Sequence, residues 1–156
     1  MDVAPFVDVA GPPPAAGRPG AVPGPRPLPV TPLAVLRAYL AGRLGPEAIA
    51  PEAALDAPGL PGNARGAAAI AGYWAAFLGA VADQELTIET AFEAGDRAAV
   101  AVRLRGVHTG RLLGLDPAGR AIDLPLVAVA RVDGGRLRHL RLSFDRLALL
   151  EQAGGE

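Results

Sequence analysis

The hydrophobic period of this chain changes once, near Asp83, and that change limits the folds open to it. Before it, apolar residues recur at helical spacing; after it, they alternate, as in strands with one solvated face. Helices followed by a run of hairpin-connected strands define an α+β plan, in which the helices must cover one face of an antiparallel sheet.

Thr31-Pro32 is a helix start, a hydroxyl cap followed by proline in the first turn. Leu33, Leu36, Tyr39, Leu40 and Leu44 then form a stripe, and Gly45-Pro46 ends it. Residues 46–62 are rich in turn formers, with a short helical stretch expected near Glu47 to Ala54. Asn63 is placed to cap a second helix, whose stripe is Ile70, Tyr73, Trp74, Phe77, Leu78 and Val81. Alternation of Leu86, Ile88, Thr90 and Phe92 with Glu85, Thr87, Glu89 and Glu93 predicts a first strand, with Phe92 on the buried face. Val100, Val102 and Leu104 mark the second, residues 122–132 the third, and Leu137 to Phe144 the fourth. Turns at Ala94-Gly95-Asp96 and Asp133-Gly134-Gly135 join them as hairpins. Asp145 is placed to cap a closing helix from Arg146 to Gln152.

Residues 1–30 stand apart. Nine of the 16 prolines fall between Pro5 and Pro29, among Gly and Ala. Such a segment buries too little to offset its ordering entropy, so a flexible tail is expected, followed by one domain over residues 31–156. The charge balance, 15 basic against 16 acidic side chains, offers no footprint for nucleic acid or an anionic membrane. Zero cysteines exclude disulfides, a thiolate nucleophile and thiolate metal sites, and two histidines leave little for a metal centre. No metal or cofactor is expected. No apolar run reaches the roughly 20 residues of a membrane span, and no signal-peptide pattern opens the chain, so a cytoplasmic protein is expected.

The run Gly106-Val107-His108-Thr109-Gly110, the loop Asp116-Pro117-Ala118-Gly119-Arg120 and the closing Asp145-x-Leu-x-Leu-Leu-x-Gln152 occur in that order. Together they resemble the SnoaL-like polyketide cyclases, of the nuclear transport factor 2-like superfamily, over roughly residues 31–153. The resemblance implies a cone-shaped, curved, mostly antiparallel sheet around an apolar pocket, with N-terminal helices covering it. It also implies a place in secondary metabolism and antibiotic biosynthesis, and commonly a homodimer. Relatives pair through the outer sheet face, where Arg103, Arg105, His139, Arg141 and Ser143 share a phase.

In the family, an aspartate on the last strand works beside a histidine on the preceding strand. The resemblance places those positions at Leu142 and Ala128, both apolar here. Alternation independently puts Leu126 and Ala128 on one face of the third strand, and Leu140, Leu142 and Phe144 on one face of the fourth. Candidate proton-transfer groups are His108, Asp56 and Asp145. His108 is in phase with Val100, Val102 and Leu104, either as a core histidine bonded to a carbonyl or as an acid–base group. Asp56 either caps a turn or serves as a base at the pocket mouth, and Asp145 is an N-cap or a functional carboxylate. Tyr39, Tyr73, Trp74 and Phe77 are core residues or ligand contacts from the covering helices. Three functions fit: a cyclase that folds a hydrophobic polyketide-like intermediate in an apolar pocket, a non-catalytic binding or assembly module, and an epoxide hydrolase or cyclase relying on Asp56.

Overall fold

A computed structural model describes residues 31–58 and 64–153. The expected tail and the Asn63 cap lie outside the described residues. Helix α1 spans Pro32–Leu40, strand β1 Ile49–Asp56, β2 Ala64–Arg65, α2 Ala67–Gly79 and β3 Val81–Ala94. β4 covers Arg97–His108, β5 Ala121–Asp133, β6 Arg136–Phe144 and α3 Arg146–Gln152. One curved, unclosed sheet runs β2-β1-β6-β5-β4-β3, antiparallel except where β1 lies parallel to β6. The α+β cone of the sequence reading is therefore present, with two more strands than alternation announced.

Helix α1 begins as its residue types require. The Thr31 hydroxyl accepts from Ala34 N at 3.1 Å, and Glu93 of β3 accepts from Leu33 N at 2.9 Å. Its buried stripe, Val35, Leu36, Tyr39 and Leu40, packs on the inner face of β4 and β5. Helix α2 buries Ile70, Trp74 and Phe77. Trp74 stacks between Tyr39 and Phe77, with centroids at 6.4 and 5.3 Å, and its Nε1 donates to Leu40 O at 2.8 Å. An inner face of Val100, Val102, Leu104, Leu124, Leu126, Ala128, Leu140 and Leu142 completes the core. Each large side chain buried there is worth roughly 1.5–3 kcal/mol.

Three expectations change. The stretch expected to be helical near Glu47 to Ala54 is a 3-10 turn, Pro46–Ala48, followed by β1. Its Ala-rich sequence is recruited by β6, and Pro51, which has no N–H to donate, sits where the pairing register slips between Ile49 and Ala54. Val81 opens β3 rather than closing α2, because the helix ends at Gly79 with Ala80 as its cap. Phe92 points outward and is 61% exposed. A register shift between Ile88 and Thr90 moves Ala91, not Phe92, into phase with Val100 on the inner face.

The closing motif has a structural role. Asp145 accepts from Ala148 N at 3.0 Å. Gln152 both accepts from Asp123 N at 2.6 Å and donates to Asp123 O at 2.9 Å. That reciprocal amide pair fixes α3 against β5.

Candidate functional site

His108 ends β4 with its side chain turned inward and fully buried. Neither ring nitrogen has a hydrogen-bond partner among the described residues. Its backbone, by contrast, is held on every side. His108 N donates to Arg120 O at 2.9 Å, and its carbonyl accepts from Gly119 N at 3.0 Å. Thr109 N and Gly110 N both donate to Ala80 O, at 2.9 and 3.1 Å, at the turn from α2 to β3.

The glycines of this motif permit that clamp. A Cβ on Gly106 would meet Val81 Cγ1 at 2.3 Å and Ala82 O at 2.6 Å; one on Gly110 would meet Ala80 Cα at 2.9 Å. So the two motifs that stood out in sequence, residues 106–110 and 116–120, converge on the backbone of His108. They fix that backbone and make no bond to its ring nitrogens. Buried polar groups are nearly always bonded, and an unbonded one marks a place where a ligand, water or strain has a role. Chemically, an imidazole in an apolar interior can donate or accept a proton, or hydrogen-bond a ligand carbonyl.

The other candidates lie elsewhere. Asp56 is not on the inner sheet face. It stands on the outer sheet face opposite Arg141, whose guanidinium approaches its carboxylate at 3.0 Å. That ion pair engages the carboxylate on which the epoxide reading relied. Asp145 is an exposed N-cap. Both phenols donate to backbone carbonyls: Tyr39 to Ile70 O at 2.7 Å and Tyr73 to Pro58 O at 3.0 Å. Burial raises both phenol pKa values, that of Tyr73 to about 12. Phe77 meets Phe144 edge-on at 5.4 Å, and Leu126, Ala128, Leu140 and Leu142 are packed in the same core cluster as Trp74.

Three cavities stand out around the described residues. One of about 450 Å³ opens on the outer sheet face among Arg65, Arg97, Arg131, Arg138 and His139. One of about 160 Å³ lies between α1 and α2, lined by Tyr39 and Trp74 among others. The third, about 120 Å³, sits beside Phe92 and Val129. None of these three reaches His108. Sequence reading missed the arginine groove, because its wall needs β1 and β2 in place beside β6.

Solved structures share this architecture. A proposed SnoaL-like polyketide cyclase from Jannaschia sp. CCS1 superposes with a TM-score of 0.70 at 22% identity, over 85% of this chain and 99% of its own. TsrD from Streptomyces laurentii gives 0.62 at 25% identity, over 78% and 90%. IdmH, a proposed polyketide cyclase from Streptomyces antibioticus, gives 0.59 at 27% identity, over 76% and 91%. The fold is thus that of the nuclear transport factor 2-like proteins. Within that class the model of the SnoaL-like polyketide cyclases matches residues 42–153, and the chain belongs to that family. No curated protein sequence matches it significantly.

Proposed function

We propose that this protein is a cyclase-type enzyme of secondary metabolism that acts on a hydrophobic, polyketide-like intermediate, with His108 as its proton-handling group. The observation that carries this reading is the buried imidazole of His108, whose backbone is held by two motifs of the chain while neither ring nitrogen is bonded among the described residues. Family membership and the likeness to IdmH, itself a proposed polyketide cyclase, support it. With Leu142 and Ala128 at the positions where the family carries its aspartate and histidine, no carboxylate assists from the inner face of β6. Folding a reactive chain into one conformation therefore supplies much of the rate, an effect that reaches about 7–11 kcal/mol in well-oriented systems.

The test is incubation with reactive linear polyketide-type substrates, followed by mass and NMR analysis. A cyclic product, isomeric with the substrate or lighter by one water, is expected. Recovery of unchanged ligand, accompanied by quenching of the single tryptophan, Trp74, would instead support a binding module. The packed interior gives that second reading its weight.

The same proposal includes self-association through the apolar patch of the outer sheet face at Phe92 and Val127. Phe92 and Val127 remain 61% and 44% exposed there, next to Ala99, Ala101 and Val129. Contiguous exposed apolar surface of this kind marks interaction sites. Light scattering at micromolar concentration should give the mass of a dimer, and a monomer mass would overturn the pairing.

A further inference from the structure

The outer sheet face carries a row of basic residues whose place in the fold the interior site does not explain. Arg65 of β2, Ala54 of β1, His139 of β6, Arg131 of β5 and Arg97 of β4 are successive cross-strand partners. With strands about 4.8 Å apart, the row crosses roughly 19 Å of sheet. Arg138 and Glu52 complete the walls of the 450 Å³ groove, and the small Ala54 side chain leaves its floor low.

Charge in this groove is poorly balanced. Glu52 pairs with Arg138, while Arg97 reaches Asp96 only at 3.8 Å, with both side chains more than half exposed. Arg65 and Arg131 have no carboxylate partner among the described residues. Arg97 and Arg131 stand directly opposite on adjacent strands, and like charges so placed destabilise a sheet. Among the lining residues, four guanidinium groups thus face one carboxylate, Glu52, while Asp96 and Asp56, which do not line the groove, pair with Arg97 and Arg141, in a chain whose overall net charge is -1.

We infer that this groove is a binding site for a small phosphate-bearing molecule, held by Arg65, Arg97 and Arg131 with His139 as a further hydrogen-bond donor. Guanidinium forks match pairs of phosphate oxygens in geometry and charge. A monocarboxylate would leave most of the positive charge uncompensated. The volume lies in the range of roughly 300–1,000 Å³ typical of small-ligand sites, larger than an inorganic ion needs. A nucleic-acid strand fits less well, since Glu52 lines the groove and Asp96 and Asp56 stand beside arginines next to it. His139 serves as an internal reporter. Its pKa is held down by burial first and then by Arg141, with Arg131 and Arg97 acting the same way and Asp56 opposing them. Arg65, Arg138 and Glu52 also border it. An anion seated among these cations offsets the repulsion, so binding raises the His139 pKa.

Pyrophosphate titrated calorimetrically into the full chain at fixed ionic strength tests this. Saturable binding is expected, with an upward shift of the His139 pKa followed by NMR. Arg97→Gln and Arg131→Gln should each weaken the affinity about tenfold or more, as loss of a charge-assisted contact does. Arg43→Gln, which lies outside the groove, should leave it unchanged. Without phosphate, Arg131→Gln should melt no lower than the wild type, and pyrophosphate should raise only the wild-type Tm appreciably. Absence of saturable heat, an unmoved His139 pKa, or equal weakening by Arg43→Gln would overturn the site. The pKa readout needs no variant, so a poorly folding substitution leaves the question decidable.

Discussion

Replacing His108 with leucine should give a protein that is more stable than the wild type and inactive. The imidazole is fully buried, and neither nitrogen is bonded among the described residues. An unsatisfied buried polar group costs about 1–3 kcal/mol, and an apolar side chain of similar size removes that cost. Leu104 and Val102, which precede His108 on the same inner face, are themselves buried, so the new side chain adds to an existing apolar surface. Urea unfolding should therefore move to a higher midpoint at unchanged slope, by about 1–3 kcal/mol. Turnover should fall about a hundredfold to ten-thousandfold, the usual worth of a positioned acid or base. The two readouts separate the alternatives. Lower stability would mean that the imidazole is satisfied in the folded protein and serves the core. Gained stability with full activity would remove His108 from the chemistry.

The meander was legible because alternation on β4, β5 and β6 is nearly uninterrupted, and Thr31 and Asp145 are strong caps. From the same phase, His108 could be placed indoors. What the sequence hid depends on distant partners. β1 is Ala- and Pro-rich and owes its strand form to β6, some eighty residues later, an influence no local window contains. Without β1, the face on which Asp56 stands is undefined, and so is the arginine row, because Arg65, Ala54 and His139 become neighbours only when β2, β1 and β6 are laid side by side. The outward turn of Phe92 comes from a bulge that strict alternation cannot register. Spacing put both tyrosines on the helices, yet whether their hydroxyls meet a ligand or a carbonyl is a matter of tertiary contact.

The inner face of β6 sets the second large effect. Leu142 is 2% exposed and lies directly opposite Ala128, which is 0% exposed. These are the positions where the resemblance puts the family's aspartate and histidine, so the register for such a pair is present while both side chains are apolar. Installing the carboxylate, Leu142→Asp, should destabilise the fold by about 3–5 kcal/mol at pH 7, through lost packing and a carboxyl in dry surroundings. The pH dependence should identify the second cause. Burial raises the folded pKa of such a carboxyl above its unfolded value of about 3.9. The unfolded chain then releases its proton first, so stability relative to the wild type falls as pH rises from about 4 to the folded pKa, and is level above it. Urea unfolding at several pH values, with the wild-type curve subtracted, measures this. A loss below about 1 kcal/mol with no slope would indicate a hydrated interior able to hold the family's carboxylate chemistry. The expected steep loss would instead mean that this end of the cone is core. His108 lies further along β4 from Val100, the partner of Ala128, by roughly 26 Å of strand. Proton transfer in this chain would then belong at the opposite end of the sheet, where β4 meets the turn from α2 to β3.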